Sequence, residues 1–288
     1  MWPSLRWRCR DHVLTVGPRP LVMGIVNVTP DSFSDGGRFL DPAAAVEHGL
    51  RLVAEGADLL DVGGESTRPG SEPVPLVEEL RRVLPVVREL ARRVTVPISV
   101  DTSKAEVARQ CLDAGAAVVN DVTGLRGDPQ MPLVVRESRA GAVVMHMQGT
   151  PATMHLDPRY DDVVREVGDF FAGRLAVLTE FGIAREAICL DPGIGFGKSQ
   201  EHTLRLLADM DRYHRFDRPI CLGVSRKGFI GVLTGRGRQE RMPGSLAVAC
   251  VVAARNPALV LRVHDVAPTR DAALLIEAIE QHRDPIPW

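Results

Sequence analysis

Asp101 and Asp191 each close a short apolar run, at residues 98–101 and 188–191. A carboxylate carried on such a run needs hydrogen-bond donors or a cation once it is buried, or it costs several kcal/mol. One reading pairs each aspartate with a lysine or sets it as a helix cap. The other turns both toward a heterocycle bearing N–H groups, because an ionised carboxylate only accepts hydrogen bonds. Asn120 would add both a donor and an acceptor to such a site, and Lys227 a cation.

Asp191 opens the segment 191–199, DPGIGFGKS. It falls short of a phosphate-binding P-loop, because Pro192 stands where the first glycine of G-x-x-x-x-G-K-[ST] must be, and it is not the dinucleotide G-x-G-x-x-G either. The spacing leaves two readings open: a backbone that comes close to something, or a tight turn. Ser225, Arg226 and Lys227 stand at the head of a short helical stretch (229–233), where helix N–H groups and cations favour an anion. Arg262 and His264 share one face of an extended run and suit phosphate oxygens, although His264 by itself fits a satisfied core histidine equally well. No H-x-x-x-H or Cys/His cluster supports zinc. Mg²⁺ bound mainly through substrate phosphates, with one protein oxygen such as that of Asn27, remains compatible.

These residues need a frame that gathers them. Strands are predicted at 22–27, 59–62, 98–101, 118–121, 143–146, 188–191, 220–223 and 259–263, each short and apolar as in strands buried on both faces. Helical patterns lie at 42–55, 76–93, 105–114, 131–139, 161–181, 201–210 and 244–255, with a last one at 269–282. Gly56, Gly115, Gly141 and Gly182 suit left-handed C-caps between helix and strand. Eight strand–helix units could build an open sheet or a closed barrel. Polar residues end nearly every strand (Asn27, Asp61, Asp101, Asn120 with Asp121, His146, Asp191, Ser225, and Arg262 with His264), whereas an open sheet gathers ligands at one switch point. The expectation is an α/β fold, a single (β/α)8 TIM barrel over residues 1–288, with long connections after strands one (28–41) and two (63–75) acting as lids. Residues 1–20 are an extension, assigned at most a short hairpin at the barrel bottom.

Composition narrows the class. The 288 residues carry 35 basic and 37 acidic side chains, a net charge of −2 that points to neither nucleic acid nor an anionic membrane. Five scattered cysteines without a C-x-x-C pair argue for reduced thiols and a cytoplasmic setting. The start lacks the apolar region of a signal peptide, and the longest apolar run, 246–254, is far short of the roughly 20 residues of a membrane span. Residues 244–254 are small and apolar on nearly every face, which predicts a homodimer interface or cover by the tail 284–288.

Together these segments resemble dihydropteroate synthase. Residues 23–37, MGIVNVTPDSFSDGG, resemble the first signature of that family, and 61–70, DVGGESTRPG, the second. Segments 99–103, 120–121, 145–149, 191–198, 225–227 and 262–265 follow in the same order, so the similarity spans about 21–282. The resemblance implies condensation of (7,8-dihydropterin-6-yl)methyl diphosphate with 4-aminobenzoate to 7,8-dihydropteroate and diphosphate, in folate biosynthesis. It assigns Asp101, Asn120, Asp191 and Lys227 to the pterin, with Met145 and Phe196 also on substrate, Asn27 to Mg²⁺, and Arg262 with His264 to the diphosphate. Thr67, Arg68 and Ser225 would position diphosphate or the aminobenzoate carboxylate. Asp35, on the first lid with Phe33 and Ser34, joins Asp101, Lys227, Arg262 and His264 in the catalytic group. The family also implies a dimer. Two other readings stay open: a pterin-dependent methyltransferase domain and a non-catalytic pterin-binding paralogue.

Overall fold

Eight short apolar runs pair side by side, all parallel, and the last hydrogen-bonds to the first, so the sheet has no edge. In a computed structural model that describes residues 4–29, 42–67, 71–256 and 258–282, these strands are β3 (Leu21–Asn27), β4 (Leu59–Gly63), β5 (Ile98–Asp101), β6 (Val118–Asp121), β7 (Gly141–Met145), β8 (Ile188–Asp191), β9 (Ile220–Leu222) and β10 (Leu259–Val263). They neighbour one another in chain order around the ring, and β10 lies between β9 and β3. The fold is the expected (β/α)8 barrel.

Helices fill the connections: α1 (Pro42–Ala54), α2 (Leu76–Arg93), α3 (Ala105–Asp113), α4 (Met131–Ser138), α5 (Val163–Glu180), α6 (Gln200–Ala208), a short α7 (Gly228–Thr234), α8 (Met242–Ala253) and α9 (Val266–Glu280). Each packs an apolar stripe on the barrel; α2 buries Val83, Val86, Val87 and Leu90, one turn apart along one face. Two starts are fixed by side chains. Asp162 accepts from the N–H groups of Val164 and Arg165 ahead of α5, and Ser199 caps α6 in a reciprocal box with His202.

The amino-terminal residues form an antiparallel hairpin, β1 (Leu5–Cys9) with β2 (His12–Val16). Trp7 is fully buried against the residues that begin the barrel strands, among them Leu21, Leu59 and Val118, and its indole N–H donates to Ala187 O at 2.9 Å. The hairpin therefore plugs the end of the barrel opposite the strand C-termini.

One expectation fails. Gly56, Gly115 and Gly182 do have positive φ, but Gly141 does not. The left-handed cap of α4 is Arg139, with φ 54°, and Gly141 starts β7. A Cβ on Gly141 would sit 2.6 Å from Cys9 Sγ, so this glycine lets the hairpin approach the barrel.

Candidate active site

Barrel closure brings the last strand beside the first, and this sets the charge arrangement at the mouth. Arg262, on β10, donates from Nε to Asp61 Oδ2 on β4 at 2.6 Å and from Nη2 to Asp101 Oδ2 on β5 at 2.6 Å. Asn120 Nδ2 donates to the same Asp61 oxygen at 3.1 Å. Asp61 is fully buried, and its other oxygen has no hydrogen-bond partner among the described residues. Burial pushes the Asp101 carboxyl up to about 7; Arg262 pulls it down, and Asp61, Glu79 and Asp121 add repulsion. Burial opposes the charge on Arg262, but Asp61 and Asp101 outweigh it and hold the guanidinium above its ordinary value. Asp101 thus has an arginine partner, not the lysine or helix cap of the simpler expectation. Arg262 spends two N–H groups on carboxylates, so it is a strut of the mouth before it meets any ligand.

Asp191 ends β8, and its carboxylate accepts from Gly193 N at 2.7 Å. Burial raises its pKa, opposed by the Gly193 N–H and by Lys227, Arg262 and Lys198. The glycine-rich turn beyond it comes close to the protein's own main chain. Gly193 and Gly197 have φ of 65° and 62°, and a Cβ on them would lie 2.0 Å from His146 O and 2.4 Å from Gln148 O. Both readings of the segment were right: the turn is tight, and what it approaches is the chain leaving β7. Phe196 is carried on this turn, and Lys227 Nζ lies 4.2 Å from its ring centroid. Burial pushes Lys227 down to about 8, with Asp191 pulling up and Arg262 pushing down.

Ser225 and His264 meet across the ends of β9 and β10. Ser225 Oγ accepts from His264 N at 3.2 Å and lies 2.9 Å from His264 Nδ1. A ring proton on Nε2 makes Nδ1 the acceptor of the Ser225 hydroxyl, whereas a ring proton on Nδ1 leaves that hydroxyl free to donate elsewhere. Burial, with Arg262 and Arg226, pushes His264 down to about 3, so the ring is neutral. Arg226 belongs to the scaffold: its guanidinium grips Asp265 at 3.0 and 2.5 Å and reaches Gln239 at 3.1 Å. This restrains the turn that carries Ser225 and Lys227. Asp121, at the end of β6, is likewise spent within the fold, accepting from Thr123 N and Leu125 N.

A cavity of about 510 Å³ opens at the strand C-termini. Its wall includes Asn27, Thr67, Asp101, Phe196, Ser225, Lys227, Arg262 and His264, which gathers eight of the expected site residues. Asn120, Met145 and Asp191 are not in that wall. They are buried behind it, Asn120 through Asp61 and Met145 in a cluster with Met147 and Met154 against which Phe196 packs. Asp35, with Phe33 and Ser34, and Arg68 lie outside the described residues. The connection after β4 is tied down where it leaves the strand and where it enters α2. Lys104 Nζ donates to Glu79 Oε2 at 2.5 Å and also to Glu65 Oε2, and Glu65 Oε1 accepts from Val74 N at 3.0 Å.

Asp61 and Glu65 had been assigned no role from sequence. Asp61 stands in the middle of β4, fully buried, and its partner Arg262 is 201 residues away, so no local signal pairs them.

A family model described as pterin binding enzyme matches residues 23–264. Over 259 residues, 90% of this chain and 91% of the relative, the sequence is 48% identical to a dihydropteroate synthase of Escherichia coli K12. The chain belongs to the dihydropteroate synthase family. A Synechocystis synthase is 43% identical over 87% of this chain and 86% of its own. Among solved synthases, one from Xanthomonas albilineans with 4-aminobenzoic acid superposes with a TM-score of 0.90 at 48% identity, covering 96% of this chain and 99% of the other. The same organism's synthase with 7,8-dihydropteroate superposes with a TM-score of 0.86 at 46% identity over the same shares.

Proposed function

We propose that this member of the dihydropteroate synthase family joins (7,8-dihydropterin-6-yl)methyl diphosphate to 4-aminobenzoate, releasing 7,8-dihydropteroate and diphosphate. The observation that carries the reading is one cavity whose wall brings together the Phe196–Lys227 pair, the Arg262–Asp101 pair and the Ser225–His264 pair. A flat heterocycle and an anion fit side by side there.

Asp101 and Asp191 accept from the N–H edge of the pterin, with Asn120 supplying a donor and an acceptor. Phe196 and Met145 line the ring, and Lys227 donates to its oxygen or ring nitrogen. The bond between the exocyclic methylene carbon and the diphosphate oxygen breaks, and the electron pair leaves with diphosphate. The dihydropterin nitrogens share the positive charge left on the methylene, and the Asp101 carboxylate favours it. Arg262 meets the departing oxyanion together with one hydrogen of the Ser225–His264 pair, the His264 Nε2–H or the Ser225 hydroxyl according to the tautomer. The amine lone pair of 4-aminobenzoate then forms the C–N bond, and its surplus proton passes to water or to diphosphate. Thr67 and Arg68 hold the aminobenzoate carboxylate, while the lid carrying Asp35 keeps competing water out.

The residues present fit Mg²⁺. Asn27 offers a hard amide oxygen at the end of β3 on the cavity wall, and no cluster of three or more His, Cys, Asp or Glu exists among the described residues. That donor set suits an ion held chiefly by substrate phosphate oxygens and water. When bound, the ion would neutralise charge on the leaving diphosphate.

We also propose a homodimer. The helix at Met242–Ala253 buries Ser245, Ala249, Val252 and Ala253 but leaves Val251 62% exposed. The adjoining helices expose Val232, Leu233, Leu275 and Ile279, which supports an apolar face covered by a second copy. Among the described residues no helix is long and apolar enough to cross a membrane, and the five cysteines are free. These features are consistent with a cytoplasmic enzyme.

The decisive experiment is diphosphate release from the pterin diphosphate, with and without 4-aminobenzoate. Release that requires the amine supports the synthase. Pterin binding without release would favour a non-catalytic paralogue, and methyl transfer the methyltransferase domain.

A further inference from the structure

The chain has 35 basic residues, of which only Lys104, Lys198 and Lys227 are lysines. All three stand at the mouth of the barrel. Lys227 faces Phe196, and Lys104 ties the connection after β4, whereas Lys198 has no part in the reaction outlined above. In a sequence that otherwise uses arginine, a lysine at such a place points to a need for a compact ammonium.

Lys198 Nζ lies 3.0 Å from His146 Nδ1, 3.3 Å from His146 O and 2.9 Å from Phe196 O. Three acceptors match the three N–H groups of an ammonium. Two belong to the residue that follows β7 and one to the turn after β8, so the side chain staples that turn to the neighbouring strand. The turn carries Phe196 at one end and Asp191 at the other. Tyr160 Oη reinforces it by donating to Gly197 O at 2.8 Å.

We propose that Lys198 is a positioning residue for the pterin slot, fastening the Asp191–Phe196 turn to the end of β7 through His146 and placing a positive charge behind the Asp191 carboxylate. The inference rests on the synthase reading of the cavity.

The electrostatics agree with the geometry. Accepting at Nδ1 makes His146 the neutral Nε2–H tautomer, and burial with Lys198 and Arg126 pushes its pKa down to about 3. Burial pushes Lys198 down to about 7, with Asp191 pulling up and Lys227 pushing down, so its charge is present below neutrality. Asp191 faces the Gly193 N–H, Lys227, Arg262, Lys198 and the thiols of Cys189 and Cys221. Removing the Lys198 cation therefore raises the pH at which Asp191 ionises.

The test compares Lys198→Met, His146→Leu and His146→Asn, the last keeping an acceptor where Nδ1 stood. Pterin-site affinity is read by calorimetry with 7,8-dihydropteroate, and turnover by diphosphate release. Lys198→Met and His146→Leu should raise the dissociation constant and the pterin KM roughly ten- to hundredfold, as for a lost charged hydrogen bond. The KM for 4-aminobenzoate should stay within about threefold, because only the pterin side has moved. In Lys198→Met the acidic limb of kcat/KM should also move to higher pH, and His146→Asn should restore pterin affinity. Dihydropteroate affinity within about twofold of wild type in both Lys198→Met and His146→Leu would overturn the proposal, as would equal rises in both KM values. Should Lys198→Met fail to fold by circular dichroism, the two His146 variants decide the matter. If the wild-type protein binds dihydropteroate but releases no diphosphate, the synthase reading falls while the calorimetric comparison still judges Lys198.

Discussion

Lys227 Nζ sits 4.2 Å from the centroid of the Phe196 ring, so a half-buried ammonium and an aromatic face share one wall of the mouth. A cation over a ring in a desolvated site gains about 0.5–2 kcal/mol. Phe196→Leu keeps the bulk and removes the ring quadrupole. It should raise the pterin KM roughly two- to thirtyfold in steady-state kinetics. An unchanged KM would mean that the ring only fills space.

Lys227 also sets a pH limit. Its ammonium is pushed down to about 8, so the charged form is present below that value and lost above it. In the proposed mechanism the charged form meets the pterin, so kcat/KM should fall as pH rises through about 8. A pH–rate profile checks this, and a plateau extending well past pH 9 would contradict the role given to this lysine.

His146 and His264 link stability to pH. Both are pushed down to about 3 in the folded protein. Between that value and the ordinary one of about 6.5 the unfolded chain binds more protons, so stability falls as pH drops below about 6.5. At pH 5 the loss is on the order of 2 kcal/mol per histidine. Asp101, held up near 7, contributes in the opposite sense, so the comparison must isolate one histidine. Urea unfolding at pH 7 and pH 5 should show a smaller drop for His264→Asn than for wild type, and equal drops would refute the assignment.

Arg262 holds two carboxylates, both through 2.6 Å contacts. Arg262→Met leaves Asp61 and Asp101 buried without their cation, a loss of about 3–5 kcal/mol. Arg262→Lys should recover little, because one ammonium cannot reproduce the guanidinium's fork to two acids. Denaturant unfolding of both variants measures the strut directly, apart from any effect on catalysis.

Gly193 packs on the main chain where a Cβ would lie 2.0 Å from His146 O, at a φ of 65°. Gly193→Ala combines a clash with backbone strain, so its cost should exceed the roughly 1–3 kcal/mol of strain alone. Thermal unfolding near wild type would show that the turn can move off the strand.

Much of this molecule was legible from its residues. A strand period of two and a helix period of 3.6 are local properties, and the eight alternating units and their polar strand ends appear in the sequence for that reason. Asp101, Ser225, Lys227, Arg262 and His264 were picked out because each stands at or just beyond a strand end. The same locality misled at Gly141, where a helix cap was expected and the neighbour is Cys9, 132 residues away, 2.6 Å from where a Cβ would sit.

The sequence by itself determined the barrel, its family and the polar residues gathered near the strand C-termini. Tertiary structure decided who pairs with whom among them. Arg262 meets Asp61 and Asp101 only because β10 closes against β3, and Lys198 finds His146 only because the glycine turn folds onto the end of β7. A side chain's charge state follows from burial and from neighbours brought together by closure, and neither quantity is written in a local pattern.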